Sequence, residues 1–453
     1  MNRTFVSNNY LFTLPKKRVK TLTQIVSTVT IYFTLLILTY SNFINAQFSS
    51  ENKIDIRIGG LLGGNTLSIP ILVIVAFLID RDFRKLIFGK IGITYVIVIS
   101  VCFLIGLLVN NELSYIKIDL INVFWLVAGC AMFYIVSNSY NPKIQLFFVV
   151  LFPTSLMLYS FLLQADRIST NEITRVLFGE INYTFSLSLI TSLAIAVFSR
   201  KSLFWTLSIW ALVAIHLFIV AASGFRSFGL TLITVIIFSV FVLSYKLSQG
   251  LLHNAPSAFQ PKNLILMLVF LSLCLLLFVF SDFLVQLIDS FTNLPIIHRF
   301  ASKDGQRSSE LRILDIFNMF QNLQGIPLIS GKGIGATYPF YDPYGGFDGY
   351  VVWFTHFGIL TYWLKGGIIL FSAAVFYFYI KLPKLFIKSL IKPRAFDPRE
   401  RTALLTILPG VFGYVVCMSI NPVFMNYHSF WGLGFLFGAY LHIRKYGLGI
   451  FLE

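Results

Sequence analysis

IGITYVIVISVCFLIGLLV, residues 91–109, is nineteen consecutive positions without an ionised side chain. A helix needs about 20 such residues to cross the hydrocarbon core of a bilayer, so this stretch reads as a transmembrane span. Windows of the same kind recur on both sides of it, near 22–43, 62–79, 119–137, 144–164, 181–198, 203–222, 228–245, 264–281, 350–380, 403–420 and 430–443. The expected fold is therefore all-α, a polytopic transmembrane helical bundle of about 12 spans. The window at 350–380 is long enough to open with an interfacial or re-entrant turn before it spans.

Composition agrees with that reading. Of 453 residues 57% are hydrophobic and 12% charged, and the mean hydropathy is +0.80. A soluble domain would carry about 25% charged residues. The net charge of +16 fits basic loops facing anionic lipid. No basic-aromatic module of the kind that binds nucleic acid is present, so no nucleic-acid partner is expected. Cys102, Cys130, Cys274 and Cys417 all fall inside apolar runs and form no CxxC pair, so neither a disulfide framework nor a thiolate metal site is indicated.

The positive-inside rule orients the bundle. Arg3, Lys16, Lys17, Arg18 and Lys20 precede the first span. Arg81, Arg84, Lys85 and Lys90 fill the second inside loop, and a basic run from Lys381 to Arg401 follows span ten. These segments share one side when both termini are cytoplasmic. Ala46 mimics a cleavage site, but the apolar core before it is longer than a signal peptide's, so an uncleaved first helix is expected. Three regions result. Residues 1–281 hold spans one to nine, 282–349 form one long outer loop, and 350–453 hold spans ten to twelve and a cytoplasmic tail. No repeat of 20–50 residues and no inverted repeat is visible.

Charge that is sparse in the spans gathers in the outer loop: Arg299, Lys303, Arg307, Arg312 and Lys332. Within it, Ile313, Ile316, Phe317 and Phe320 fall at i, i+3, i+4 and i+7, which predicts an amphipathic helix over 308–322 lying flat at the interface. Ser308 or Ser309 would cap it, and Gly325 with Pro327 would end it. Arg312 would then sit near the headgroups, or in a plain surface pair with Glu310 or Asp315. Gly331-Lys332-Gly333-Ile334-Gly335 lacks the preceding strand and the Lys-Ser/Thr of a nucleotide loop, so it reads as a flexible hinge over a cleft.

Two further residues are candidates for chemistry. Arg226, in Gly224-Phe225-Arg226-Ser227, lies at an outer turn, either as an interfacial anchor or as a bidentate clamp for a diphosphate. His356 opens the tenth span and is the natural general base near neutral pH; a histidine satisfied by a backbone carbonyl is the alternative. Lys365, before Gly366-Gly367, is either a second cation for an anionic substrate or a residue that snorkels outward. Asp80-Arg81-Asp82 matches the D-x-D of metal-bound sugar nucleotides, but in a basic inside loop. His428, after Asn421-Pro422, lies on the outer side and is a further candidate to line the same cleft. No His, Cys and carboxylate cluster has metal spacing, so no metal and no cofactor are expected.

Three elements in this order carry a resemblance: Arg226 at an outer turn, then Ser309-Glu310-Leu311-Arg312 and Ile326-Pro327-Leu328-Ile329-Ser330-Gly331-Lys332-Gly333 in a large outer loop, then His356 with Gly366 and Gly367. Over about residues 200–380 the chain resembles the O-antigen polymerase and ligase superfamily of bacterial envelope glycosyltransferases. It departs from that family's frequent Ser-Arg and His-Asn or His-Ser pairs, reading Phe225-Arg226 and His356-Phe357. The resemblance implies a GT-C-like enzyme of the bacterial inner membrane with its site facing the periplasm. It implies that a glycan on undecaprenyl diphosphate is the donor, attacked by an acceptor sugar hydroxyl without a metal. Arg226 and Arg312 would neutralise the leaving diphosphate, and His356 would take the hydroxyl proton. Arg299, Lys332 and Lys365 would contact phosphate or sugar, and Tyr338, Tyr341 and Tyr344 would stack on sugar rings or anchor at the interface. Membrane lipid and a chain-length regulator are further candidate partners.

Four functions stay in play. A polymerase joins repeat units on the carrier, and a ligase moves the glycan to a final acceptor with the same residues. A lipid-linked oligosaccharide flippase would place charges within helices around a central cavity, whereas these spans show almost none. A transferase of single sugars from a polyprenyl monophosphate would use a carboxylate in the first outer loop, where Glu51 and Asp55 stand.

Overall fold

A computed structural model describes residues 22–48, 64–149, 303–341, 350–355, 357–392, 395–420 and 427–447, with isolated positions between 151 and 238. In this part the chain is mostly helical. The elements are α1 (Leu22–Phe48), α2 (Gly64–Ile79), α3 (Arg81–Ile87), α4 (Lys90–Leu108) and α5 (Leu113–Ser137), then α6 (Lys303–Asn322) and α7 (Ile326–Ser330). Strands β1 (Tyr338–Phe340) and β2 (Tyr350–Val352) follow, then α8 (Gly358–Val375), a π-helical turn (Phe376–Lys381), α9 (Leu382–Ile391), α10 (Pro398–Ile420) and α11 (Tyr427–Tyr446). Among the described residues three helices are long and apolar enough to cross a membrane: Lys90–Leu108, Leu113–Ser137 and the continuous run Gly358–Ile391. Spans six to nine of the expected set fall almost wholly outside the described residues.

The main core lies among α1, α2, α5, α10 and α11, with Leu72, Trp125, Phe133, Tyr414, Trp431 and Phe435 buried in it. α5 and α11 meet backbone to backbone. A Cβ on Gly129 would stand 1.9 Å from the Trp431 carbonyl oxygen, and one on Gly434 would stand 1.9 Å from that of Leu126. In lipid, where apolar burial gives helices little drive to associate, such close approach supplies the van der Waals contact that holds them together. Phe133 and Phe435 add an edge-to-face pair with centroids 5.2 Å apart. α4 is peripheral: Ile93, Val96, Ile97 and Leu104 are exposed, the pattern of a helix whose partner is lipid.

The two ends of α5 are about 37 Å apart for its 25 residues, and each gathers a different set of elements. At its carboxyl end Asn138 Nδ2 donates to Asp80 Oδ2 (2.6 Å). Asp80 also caps α3 by accepting from the Asp82 and Phe83 amides, at 2.7 and 2.8 Å. Asp82 pairs with Lys445 at 2.6 Å and accepts from the Tyr446 hydroxyl, tying the end of α11 to α3. Arg399, at the start of α10, donates to the Lys445 carbonyl at 3.0 Å. Of the basic segments grouped by the charge rule, the one at 81–90 and the end of the 381–401 run thus meet here with the end of α11, and Arg3–Lys20 lie outside the described residues.

Three expectations change. The amphipathic helix starts at Lys303, five residues before its expected serine cap. It docks by the opposite face: Asp315, Asn318 and Met319 are buried, while Ile313 and Phe317 are 53% and 63% exposed. The reason is polar docking, because Asp315 accepts from the Tyr338 hydroxyl and Asn318 Nδ2 donates to the Tyr341 carbonyl (3.1 Å). Half of the apolar stripe, Ile313 and Phe317, is left outward, while Phe320 packs edge-to-face on Trp363 with centroids 5.0 Å apart. The fold is also not purely helical, since β1 and β2 pair antiparallel, with Pro339 opposite Val351. α8, finally, is broken. Gly367 has φ 67 and ψ −168, so the run Gly358–Ile391, long and apolar enough to cross a bilayer, is interrupted near its start.

Candidate functional site

The glycine-rich segment after α7 is not a hinge. Gly331, Gly333, Ile334, Gly335 and Ala336 are buried, and the three glycines have φ 71, 79 and 81, a region other residues enter only at a cost. A Cβ on Gly333 would fall 2.1 Å from the Gly106 nitrogen of α4, and one on Gly331 would fall 2.5 Å from the Gly367 nitrogen. The segment therefore lies between α4 and the break in α8 with no room for side chains at its glycines. Backbone bonds fix it there: the Lys332 amide donates to the Leu364 carbonyl (2.8 Å) and the Ile334 amide to that of Cys102 (2.9 Å). Asn111 Nδ2, from the α4–α5 turn, donates to the carbonyls of Lys332 (2.7 Å) and Ile334 (2.9 Å).

Beneath it lies an ion pair. Lys365 Nζ stands 2.7 Å from Asp119 Oδ2, with the lysine 5% and the aspartate 0% exposed. Asp119 Oδ2 also accepts from the Gly335 amide (2.6 Å), and Lys365 Nζ donates to the Ala336 carbonyl (2.8 Å). Lys365 thus neither snorkels outward nor presents a free charge; its ammonium is turned into the core. The spans consequently do hold charge, contrary to the near-absence read from sequence. Asp119 was the residue missed. Its signal was available: it is the sole carboxylate between Leu113 and Ser137, in a run otherwise apolar enough to span.

Lys332 differs from Lys365. It is half-buried, its ammonium has no partner among the described residues, and burial pushes it below its ordinary value of 10.5. A partly desolvated cation at the edge of a packed segment is suited to meet an anion.

A second cluster joins α6 to the strand that leads to α8. The Tyr338 hydroxyl donates to Asp315, one turn beyond Arg312 on α6, and lies 3.1 Å from the Phe354 carbonyl, two residues before position 356. Burial, and then the neighbouring Asp315 carboxylate, push this phenol well above its ordinary range, so it remains a donor. Thr355 is buried; its amide donates to Thr361 Oγ1 (3.1 Å) and its hydroxyl to the Phe357 carbonyl. Arg312 is half-buried on the same helix.

Of the residues proposed from sequence, Arg312, Lys332, Lys365 and Tyr341 are described, and Arg226, Arg299, His356 and Tyr344 lie outside the described residues. Tyr341 is exposed at the end of β1, free to meet a sugar or an interface, whereas Tyr338 is buried and cannot stack on a ligand. Asp80 and Asp82, the D-x-D pair, serve as a helix cap and an ion-pair partner. Partial burial would raise the Asp82 carboxyl, but the hydrogen bonds from Lys445 and Tyr446 together hold it below its ordinary 3.8.

No protein-family model matches this chain, and no curated protein matches it in sequence.

Proposed function

We propose that the chain is a polysaccharide polymerase of about twelve spans, a GT-C-like glycosyltransferase of the bacterial inner membrane with both termini cytoplasmic. Its substrates are oligosaccharide repeat units on undecaprenyl diphosphate, joined at the periplasmic face. The acceptor sugar hydroxyl oxygen attacks the donor's anomeric carbon as the bond from that carbon to the diphosphate oxygen breaks. The hydroxyl proton passes to His356. Arg226 and Arg312 take the charge that develops on the departing lipid diphosphate, as a metal does elsewhere. Lys332, Arg299 and Tyr341 contact phosphate and sugar.

The observation that supports this reading is the Tyr338 bridge. One phenol bonds Asp315, a turn from Arg312, and the Phe354 carbonyl, two residues from His356. Residues 312 and 356, 44 positions apart in sequence, thus flank a tie that is made three residues from one and two from the other. A general base and a diphosphate clamp must share one substrate, and a tie between the segments that carry them supports that pairing.

A flippase is the second reading, favoured by the broken helix α8 and the intramembrane Asp119–Lys365 pair, both of which recur where transporters bind cargo. Glycan length separates the functions. Cells deleted for the native copy would be complemented with wild type, Arg226→Ala, Arg312→Ala or His356→Ala, each checked for membrane insertion. The polymerase predicts single-repeat glycans in place of the ladder in every variant. Long chains retained on the carrier with none on the final acceptor would identify a ligase. A normal ladder in all three would remove the site assignment.

A further inference from the structure

The Asp119–Lys365 pair is a poor candidate for a simple stabiliser. Two buried charges must be desolvated, and well-packed apolar residues in their place are often neutral or better. Asp119 Oδ1 adds to the cost, since it is buried without a hydrogen-bond partner among the described residues. What the pair does beyond its own contact is narrower than stabilisation. Two further bonds of the pair reach consecutive residues of one segment, the Gly335 amide and the Ala336 carbonyl. Asn111 holds the same segment at the carbonyls of residues 332 and 334, and the carbonyl of Leu364, adjacent to Lys365, takes the Lys332 amide. The backbone of Lys332 is thus fixed on both sides while its ammonium has no partner among the described residues.

We propose that Asp119 and Lys365 form a positioning clamp that wedges Gly331–Ala336 between α4, α5 and the break in α8, and so presents the Lys332 ammonium to an anionic substrate. Neither clamp residue touches that substrate. The final step rests on the reading of Lys332 as a donor contact; the clamp itself does not.

The test uses the full chain in its own membrane. Lys332→Cys is labelled in intact cells with a membrane-impermeant maleimide, with Tyr341→Cys as a control on the same loop and the cysteine-unaltered chain as background. Adding Asp119→Asn frees the segment and raises the labelling rate at position 332 roughly tenfold or more, with no change at 341. If Asp119→Asn fails to accumulate, Asp119→Asn with Lys365→Met, which leaves no lone buried charge, gives the same rise. An unchanged rate at 332 in a variant that accumulates overturns the clamp. An equal rise at 341 also overturns it, because the pair then holds the whole fold. With Lys332 intact, Asp119→Asn is expected to raise the donor KM more than it lowers kcat and to shorten the glycan ladder. Faster labelling with an unaltered ladder overturns the link to Lys332 chemistry and leaves the clamp standing. Labelling does not depend on glycosyl transfer, so failure of the polymerase reading and failure of the clamp are told apart.

Discussion

Lys332 and Lys365 are joined almost directly, since the amide of one donates to the carbonyl beside the other, yet their charges have opposite fates. Lys365 is neutralised by Asp119, whereas Lys332 carries a desolvation cost that nothing described offsets. A depressed lysine is less protonated in the folded chain than in the unfolded one at the same pH. Its charge therefore works against stability at neutral pH, and that cost fades as pH rises toward the unfolded value of 10.5. An anion bound at Lys332 repays the cost, which ties affinity to the charged form. Donor affinity is expected to fall on the alkaline side, beginning below pH 10.5. Lys332→Arg should remove that limb from the accessible range, because a guanidinium stays charged. Lys332→Ala should lower affinity throughout and show no limb at all. Measured donor KM against pH for the three proteins decides it, and a limb that persists in Lys332→Ala would assign the titration to another group.

At the scale of elements, the helices that lipid dictates were the legible part. Residues 91–109 were expected and Lys90–Leu108 is found; 62–79 corresponds to Gly64–Ile79, and 430–443 to Tyr427–Tyr446. Hydropathy works there because every backbone group is satisfied within the helix and the side chains need only be apolar. It fails where a polar residue finds a partner far away. α5 begins six residues before its window because Lys117 and Asp119 weaken the apolar signal, and Asp119 is neutralised by a lysine 246 positions on in the chain. The docking face of α6 was missed for the same reason, since a buried Asp315 is intelligible only once Tyr338 is placed against it. The glycine segment was visible as a motif but not as a wedge, because what demands glycine at 333 is the backbone of Gly106. Two substitutions separate conformation from contact. Gly333→Ala meets both the left-handed backbone penalty and overlap with Gly106, roughly 2–5 kcal/mol in sum. Gly325→Ala has φ 71 and ψ −135 but nothing within 4 Å of the new methyl, and is expected to cost the backbone strain alone, about 1–3 kcal/mol. Thermal unfolding of the two variants in detergent should rank them in that order, and equal losses would mean that the segment does not pack against α4 as described.

On the scale of the whole molecule, α5 acts as a ruler. Near its amino end it carries Asp119, with the Asn111 turn, the glycine segment and, through β1, Tyr341. At its carboxyl end are Asn138, Asp80 and the Asp82–Lys445 pair. An element long enough to cross a membrane, with distinct clusters at its two ends, requires those clusters to face different compartments if it does cross. Charge then says which is which. The carboxyl-end cluster collects Arg84, Lys85, Arg399, Arg444 and Lys445 from short segments, the kind the positive-inside rule counts. Lys303, Arg307, Arg312 and Lys332 at the other end belong to one long loop, which the rule weighs little; on that rule the carboxyl end would be the cytoplasmic one. An impermeant thiol reagent applied to intact cells should therefore label Tyr341→Cys and leave Lys445→Cys untouched, and permeabilised cells should label both. Labelling of both positions in intact cells would mean that α5 lies along the membrane rather than through it. Labelling of position 445 alone would invert the bundle, turn the glycine segment and Lys332 toward the cytoplasm, and leave a periplasmic polymerase without its loop.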